Sequence, residues 1–185
     1  MSRHQIGNII SVIYSAIRFS CLRVFSGGRI KSKIIERISP NVVIDIDKNS
    51  KLSLGNKVRI HSGSRISAAK GGYVEIGDNV RMNNNCRIAC REHIVIEEGV
   101  EFGPGVLVYD HDHDFRAKGG IKSGEYKKSP VVIKKNAWIG ANTIILRGTE
   151  IGENCVIGAG SVLSGKYEDN MVVVQKRHTD VLRQE

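Results

Sequence analysis

The sequence predicts an all-β solenoid, and three observations support that prediction. Aliphatic residues return every six positions near the C-terminus, at Ile133, Ile139, Ile145, Ile151, Ile157 and Leu163. Small residues follow four positions after the first five of these, at Ala137, Thr143, Thr149, Cys155 and Ser161. Aromatic residues make up only 5% of the chain. A six-residue period fits neither one helix nor one strand, whereas a coil of hexapeptides directs every aliphatic side chain to a common axis.

The first element is a basic arm over residues 1–40. Apolar residues recur at helical spacing from Ile6 to Val24, which predicts an amphipathic helix that ends before Ser26. Its uncharged run covers 13 residues, fewer than the ~20 needed to cross a bilayer, and no signal cleavage site follows. Two roles are open for this helix. It covers the exposed first coil, or it lies as a basic helix on the inner face of the membrane.

Charge is concentrated in this arm. It holds seven Lys or Arg residues and one Glu, which is +6 of the net charge of +9. The sequence contains no nucleic-acid recognition motif and no aromatic platform, so we expect no nucleic-acid partner. An anionic lipid surface or a polyanionic small molecule fits the charge better.

The second element, over residues 41–166, is the solenoid domain. Further landmarks stand upstream at Leu54, Ile60, Ile66, Ile76, Met82, Ile88, Ile94, Ile96, Phe102 and Val108. The ten-residue step from Ile66 to Ile76 predicts a small outward loop, and the two-residue step from Ile94 to Ile96 predicts a tight corner. Together the landmarks predict about five to six coils. The period is lost over residues 109–130, which predicts an excursion from the coil, and residues 167–185 form a strand and a basic tail.

The excursion opens with Tyr-Asp-His-Asp-His-Asp-Phe over residues 109–115, where two histidines stand among carboxylates. An alcohol is a weak nucleophile at neutral pH, so transfer of an acyl group to it needs a general base. Imidazole has a suitable pKa for that role. The four cysteines have no disulfide or zinc spacing, and we interpret them as reduced core residues of a cytoplasmic protein.

The strings NAWIGANTIIL and GTEIGENCVIGAGSVL resemble the C-terminal half of the hexapeptide-repeat acyltransferases, which include galactoside, maltose, serine, xenobiotic and capsular-polysaccharide O-acetyltransferases. The resemblance implies a left-handed parallel β-helix of triangular section, a homotrimer, and acetyl-CoA bound between subunits. Left-handed winding is an exception to the usual crossover rule, so it rests on the resemblance alone. The implied activity is acetyl-CoA-dependent transfer to a hydroxyl of a carbohydrate acceptor, in particular a surface polysaccharide or its precursor.

The resemblance also implies catalytic and acceptor-binding residues. The catalytic histidine of the galactoside and maltose enzymes is the eighteenth residue counted from a preceding isoleucine, and the same count from Ile96 gives His113 as base. His111 would then be its neighbour in the acceptor site. Asn83 takes the place of an asparagine that holds the sugar. Trp138, the single tryptophan, would wall the acceptor cleft or pack at an interface.

For acetyl-CoA, the resemblance implies contacts to the pantetheine arm from the corner residues Ala141 and Ala159. Ser164, Lys166 and Arg177 are assigned to the phosphates on charge and position. The ending Gln175-Lys176-Arg177 departs from the Gly-x-Pro-Ala turn of many relatives and looks more like the capsular-polysaccharide members.

Three alternatives stay open at this point. The protein N-acetylates an amino sugar or transfers the acetyl group to an antibiotic, or it is a scaffold without activity. The third is a metal hydratase like the γ-class carbonic anhydrases, which use three histidines on this fold. His61 and His93 do not supply the third histidine at the required position, so we expect no metal.

Overall fold

The computed structural model of the chain describes residues 3–33 and 37–176, and these form a parallel β-solenoid of about six coils behind one helix. Each coil has three sides, and equivalent sides of successive coils pair in parallel to give three sheets, here called sides A, B and C. The chain runs from side A to side B to side C within each coil. The predicted all-β solenoid and its number of coils are confirmed.

The strands are short and stack in register. Side A contains β1 (Ile30–Ser32), β4 (Lys51–Leu54), β7 (Tyr73–Ile76), β10 (His93–Ile96), β15 (Val131–Ile133), β18 (Glu150–Ile151) and β21 (Lys166–Tyr167). Side B contains β2 (Arg37–Ile38), β5 (Arg59–Ile60), β8 (Arg81–Met82), β11 (Glu101–Phe102), β16 (Trp138–Ile139), β19 (Val156–Ile157) and β22 (Val172–Val173). Side C contains β3 (Val43–Ile46), β6 (Arg65–Ala68), β9 (Arg87–Cys90), β12 (Leu107–Tyr109), β17 (Ile144–Ile145) and β20 (Val162–Leu163).

The core is one continuous stack of aliphatic side chains along the solenoid axis. All six C-terminal landmarks are at most 1% exposed, as the six-residue period predicts. The small residues that follow them are buried as well. Thr143, Thr149 and Ser161 each donate a hydroxyl hydrogen bond to the carbonyl three residues earlier, at 2.8, 2.6 and 2.6 Å. Their polar atoms are therefore satisfied inside a narrow core, which explains why small hydroxyl residues are tolerated there.

The glycines that follow the landmarks are required by the spacing between coils. A Cβ on Gly140 would lie 2.5 Å from the backbone nitrogen of Ala159 in the next coil. Any side chain at that position would push two coils apart. The backbone of Gly140 itself has no positive φ, so the reason for this glycine is close approach and not turn conformation.

The two irregular steps in the repeat have a common cause that the period did not indicate. On sides A and C of the early coils the strands are four residues long and carry two inward residues each, such as Ile94 with Ile96 and Ile66 with Ala68. The predicted loop after Ile66 is therefore wrong, because the additional residues lengthen strands β6 and β7. The coils narrow toward the C-terminus, where strands have two residues and one inward side chain.

The solenoid extends beyond both expected boundaries of 41–166. At the start, β1 pairs with β4 and β2 pairs with β5, so coiling begins at Ile30 inside the expected basic arm. At the end, β22 pairs with β19 and carries the last sheet to Val173. The strand predicted after residue 166 is thus a further rung of the coil.

Helix α1 (Arg3–Phe25) covers the first coil, and its contact face differs from the predicted apolar face. Phe19 is fully buried, and the Ser15 hydroxyl donates to the Ile38 carbonyl at 3.1 Å and accepts from the Ile38 amide at 2.9 Å. Ile13 and Ile17, in contrast, are 54% and 62% exposed. The helix thus packs on the first coil, and the two described isoleucines of the predicted apolar face, Ile13 and Ile17, point away from that coil.

The chain leaves the coil after Asp110, within the stretch 109–130 expected to do so, and forms a small hairpin before it returns at β15. Strands β13 (His111–His113) and β14 (Tyr126–Lys128) pair antiparallel, with a 3₁₀ turn over Gly120–Ser123 between them. This hairpin, here called the excursion, projects from the corner between sides C and A.

Candidate active site

The excursion begins with an acidic side chain that still points into the solenoid. Asp110 follows β12 and stacks above Cys90, which in turn stacks above Ala68 on side C. It therefore takes the second inward position of a column that elsewhere holds apolar residues, and it is 0% exposed. A carboxylate in that place needs hydrogen bonds to offset the loss of its hydration.

Asp110 receives those hydrogen bonds from four groups. The backbone N–H of Arg91 donates to Oδ1 at 2.8 Å, and that of Glu92 donates to Oδ2 at 2.7 Å. The Cys90 thiol donates to Oδ2 at 3.1 Å, and His111 Nδ1 lies 2.8 Å from Oδ1. Burial alone would raise the pKa of Asp110, but these hydrogen bonds together outweigh burial and lower the pKa. The group is therefore an ionised carboxylate at neutral pH.

An ionised carboxylate only accepts hydrogen bonds, and this fixes the proton of His111. Nδ1 must carry the hydrogen that points to Asp110, which leaves Nε2 of the neutral ring with a free lone pair. The His111 side chain is 15% exposed, so the ring is partly sheltered and still reachable. A base oriented by a buried carboxylate is suited to take a proton from a bound hydroxyl.

His113 has a different environment. It lies two residues further along β13, is exposed, and packs against the Tyr126 ring with 4.4 Å between ring centroids. Tyr126 also contacts His111 edge to face at 5.4 Å and lies under the Arg91 guanidinium, which is 3.8 Å from its centroid. Tyr126 thus separates and supports both imidazoles, and no hydrogen-bond partner orients the His113 ring among the described residues.

A second group of predicted residues lies on another part of the solenoid, the corner between sides B and C. Asn83 is an exposed residue of this corner, and its Oδ1 accepts from the Asn84 amide at 3.0 Å. Ala141 and Ala159 occupy the same corner two and three coils further on. Within the described chain neither alanine uses its backbone N–H in a hydrogen bond, so both N–H groups are available to a ligand. Trp138 is 56% exposed on the adjoining side B.

The residues predicted for the coenzyme phosphates do not join that corner. Ser164 and Lys166 lie at the corner between sides C and A and on side A, two coils beyond the excursion. Lys166 forms an ion pair with Glu150 at 3.0 Å, and Lys134 contacts the same carboxylate at 2.9 Å. Arg177 lies outside the described residues.

The candidate residues of one chain are therefore divided between two corners of the triangle. Cys86 to Cys90 run along side C between Asn85 and Arg91, and at about 3.3 Å per residue this side separates the corners by roughly 15 Å. His111 and Asn83 of the same chain cannot contact one small acceptor group. A second copy of the chain would have to supply one of the two corners.

Two further features concern metals and membranes. Within residues 3–33 and 37–176, no three His, Cys, Asp or Glu side chains come together in a way that could hold a metal ion. In the same part of the chain, α1 lacks the length of apolar sequence needed to cross a bilayer. Peripheral contact of the arm with a membrane stays a prediction.

Sequence reasoning missed Asp110, Arg91 and Tyr126, although one of them had a signal. Alternate residues point inward on the long strands of side C, so the step from Val108 to Asp110 marks the carboxylate as an inward group. Arg91 and Tyr126 carried no such signal, because their contact depends on how the excursion folds back.

Comparison with known proteins agrees with the repeat pattern. Residues 130–165 match the family model described as bacterial transferase hexapeptide, six repeats. An Escherichia coli K12 protein named for lipopolysaccharide biosynthesis O-acetyl transfer is 29% identical over 141 residues, which cover 69% of each chain. The galactoside O-acetyltransferase of Lactococcus lactis is 36% identical over 102 residues, covering 55% of this chain and 49% of that protein. The chain thus spans about half the length of the second relative.

Solved structures give the same fold. A maltose O-acetyltransferase from Clostridium difficile superposes with a TM-score of 0.53 at 32% identity, over 63% of this chain and 60% of the other. A variant of AntD, an N-acyltransferase from Bacillus cereus in complex with dTDP and coenzyme A, superposes with a TM-score of 0.63 at 26% identity, over 76% of each chain. On its repeats, its fold and these relatives, the chain is similar to the hexapeptide-repeat acetyltransferases.

Proposed function

We propose that this protein is an acetyl-CoA-dependent O-acetyltransferase that acts on a hydroxyl of a surface polysaccharide or its precursor. The observation that carries the proposal is the Asp110–His111 pair at the mouth of the excursion, with 2.8 Å between the carboxylate and Nδ1. The relatives named for O-acetyl transfer to galactosides, maltose and lipopolysaccharide support a carbohydrate acceptor.

The two histidines are competing candidates for the base. The count from Ile96 favours His113, whereas the fixed tautomer and the partly sheltered position favour His111. We assign the base to His111, with Asp110 as the group that orients the ring and stabilises the imidazolium. His113 and Tyr126 then form a wall beside it.

The proposed step is direct transfer. His111 Nε2 takes the proton as the acceptor oxygen bonds to the thioester carbonyl carbon, and a tetrahedral intermediate forms. When the intermediate collapses, the C–S bond breaks and the imidazolium returns its proton to the departing thiolate. The products are an acetyl ester and the free thiol of coenzyme A, and the enzyme is unchanged. Such general-base assistance contributes about 10² to 10⁴ to the rate.

The donor fits the corner between sides B and C. Acetyl-CoA supplies the activated acetyl group as a thioester with an amide-containing arm. The unpaired N–H groups of Ala141 and Ala159 can donate to carbonyls of that arm. Ser164 and Lys166 lie elsewhere on the chain, so their contact with the phosphates also requires another copy.

We further infer a homotrimer. The proposed base lies at the corner between sides C and A, and the acceptor and donor residues lie at the corner between sides B and C, about 15 Å away. A complete site therefore needs the excursion of one copy beside the corner between sides B and C of its neighbour. Light scattering at micromolar concentration should return three times the mass of 20.4 kDa. A monomer that turns over substrate at the same concentration would contradict this assembly.

The activity is tested by an acetyl-CoA turnover screen against sugars, amino sugars and antibiotics, with product analysis in alkali. The expected product is an alkali-labile ester on a sugar. His111→Ala should lower turnover by about 10² to 10⁴. The matched control is His93→Ala, which alters a histidine paired with Glu75 on side A. Coenzyme A binding by calorimetry should survive both changes.

A second candidate function is N-acetylation of an amino sugar. The similarity to AntD, an N-acyltransferase, favours it, and the same base could remove a proton from an amine as it attacks. An alkali-stable amide product in the screen would establish this alternative. Turnover with antibiotics alone would move the acceptor to the xenobiotic group.

A further inference from the structure

Side B carries a column of three arginines along the solenoid axis. Arg37 of β2 is opposite Arg59 of β5, and Arg59 is opposite Arg81 of β8. Neighbouring strands lie about 4.8 Å apart, so the column places three cations over roughly 10 Å on one rigid face. Side B strands are two residues long in these coils, and the second residue of each is buried, so the arginines form a single row.

The column has little compensating charge. Glu101 stands above Arg81 in register and pairs with it at 3.0 Å. Among the described residues, neither the Arg37 nor the Arg59 guanidinium joins an ion pair or donates a hydrogen bond. Burial, followed by the charges of Arg37 and Arg81, lowers the pKa of Arg59. The cations therefore repel one another, and a bound anion would relieve that repulsion.

The same face leads to the candidate acceptor residues. Going up side B, the register continues from Arg81 to Glu101 and then to the exposed Trp138. Asn83 follows Arg81 in its coil by two residues and flanks the column at the corner between sides B and C. A glycan whose reacting sugar lies near Trp138 and Asn83 would extend along the arginines.

We propose that side B binds the acceptor as an acidic glycan strand, whose carboxylates lie along Arg37, Arg59 and Arg81. This inference rests on the proposed sugar acceptor and specifies its chemical class. A single column of cations suits a linear polyanion with one charge per sugar ring. Guanidinium groups form paired hydrogen bonds with carboxylates, which suits the arginines to this ligand.

Binding can be measured without catalysis. Trp138 is the single tryptophan and lies on side B two coils above Arg81, with Glu101 between them, so its fluorescence is used to report binding to this side. The probes are an oligogalacturonate of eight sugars and the same oligosaccharide with every carboxylate methyl-esterified. We expect the acidic probe to bind at least about tenfold more tightly than the ester.

Variants then connect the affinity with the column. Arg59→Ala should weaken binding of the acidic probe about tenfold, and Arg59→Lys, which keeps the charge but loses the paired hydrogen bonds, should restore only part of the loss. Arg87→Ala removes the same charge from side C and should change the affinity less than about twofold. An unchanged melting temperature in Arg59→Ala would show that the loss is one of binding.

Three results would overturn the inference. The first is equal affinity for the acidic and the esterified oligosaccharide. The second is an equal loss of affinity in Arg59→Ala and Arg87→Ala. The third is Arg59-dependent binding to phosphatidylglycerol vesicles without binding of the glycan. The last result would assign the column to a membrane surface. Failure of acetyl transfer with retained, Arg59-dependent glycan binding would refute the proposed function and leave this inference standing.

Discussion

In the solenoid core Ile139 is held by apolar contact with the coils above and below it, whereas at the start of the excursion Asp110 is held by hydrogen bonds of fixed direction. Both side chains point into the interior of the solenoid, and both are fully buried. Apolar contact tolerates exchange of similar shapes, so a repeat can vary and still fold. A buried carboxylate depends on each of its donors, so the excursion can hold a reactive group in one orientation.

The largest expected effect is on activity and separates the two histidines. His111→Ala should lower kcat by about 10² to 10⁴, because it removes the proposed base. His113→Ala should lower it much less, because its ring has no orienting carboxylate. Both variants should retain the affinity for coenzyme A, and His113→Ala should retain the wild-type melting temperature, whereas His111→Ala should lower it because Asp110 loses one donor. If His113→Ala proves the more damaging in steady-state assays, the count from Ile96 gives the true base and the Asp110 contact is structural.

The next effect is on stability and belongs to the core. Ile139→Ala should lower the free energy of unfolding by about 2 to 5 kcal/mol, because it opens a cavity in a stack with few ways to collapse. Phe115→Ala, in the excursion, is the matched control, since that ring is 65% exposed. Denaturant titration would show the difference, and similar losses for both variants would argue that the excursion is part of the folding core.

These two regions also differ in how far their structure follows from the sequence. The six-residue period predicts the inward side chains, the small corner residues and the strand order, because each coil repeats the same contacts. It does not predict the four-residue strands of the early coils, where a second inward residue replaces a loop. Nor does it predict which face of α1 packs, because Ser15 and Phe19 match the coil by shape and hydrogen bonding.

Within the site, the resemblance implied the corner residues Ala141 and Ala159 by their position in the repeat; the structure places both at one corner, and their contact with the coenzyme stays a prediction. The resemblance gave His113 as the base by a count from Ile96, but the excursion contains no repeat against which that count can be checked. The contact on which our assignment of His111 rests, from Asp110, arises where the last inward position of side C meets the first residue of the hairpin. The row of arginines on side B could not be recognised from the sequence either, because Arg37, Arg59 and Arg81 are each 22 residues apart.

A smaller effect is expected from Asp110→Asn. The change keeps the shape, but the amide nitrogen would face the N–H donors of Arg91 and Glu92, at a cost of about 1 to 3 kcal/mol. Because the pKa of Asp110 is lowered in the folded state, its stabilisation is present above the unfolded pKa of about 3.9 and is lost as the pH falls through the folded value.

The difference in unfolding free energy between wild type and Asp110→Asn should therefore be constant near neutral pH and shrink below about pH 4. Urea titrations at several pH values measure it. Asp112→Asn is the control, because its carboxylate is an exposed partner of Arg147 and should show little change at any pH. A difference that does not vary with pH would mean that Asp110 is not ionised in the folded protein.

The smallest effect concerns the thiols and gives a local probe of the same contrast. Cys21 is exposed on α1, whereas Cys86, Cys90 and Cys155 are buried. Burial, followed by the nearby charge of Asp110, raises the pKa of Cys90, so that little thiolate forms at neutral pH. Cys155 lies in the coil and donates to the Glu168 carbonyl at 3.0 Å.

A thiol reagent should therefore label one cysteine quickly in the native wild type, and Cys21→Ser should remove that signal. In Asp110→Asn the excursion loses its anchor, and Cys90 should become labelled before Cys155 because only the former depends on the carboxylate contact. Peptide mapping that finds Cys90 and Cys155 labelled together would mean that coil and excursion open as one unit.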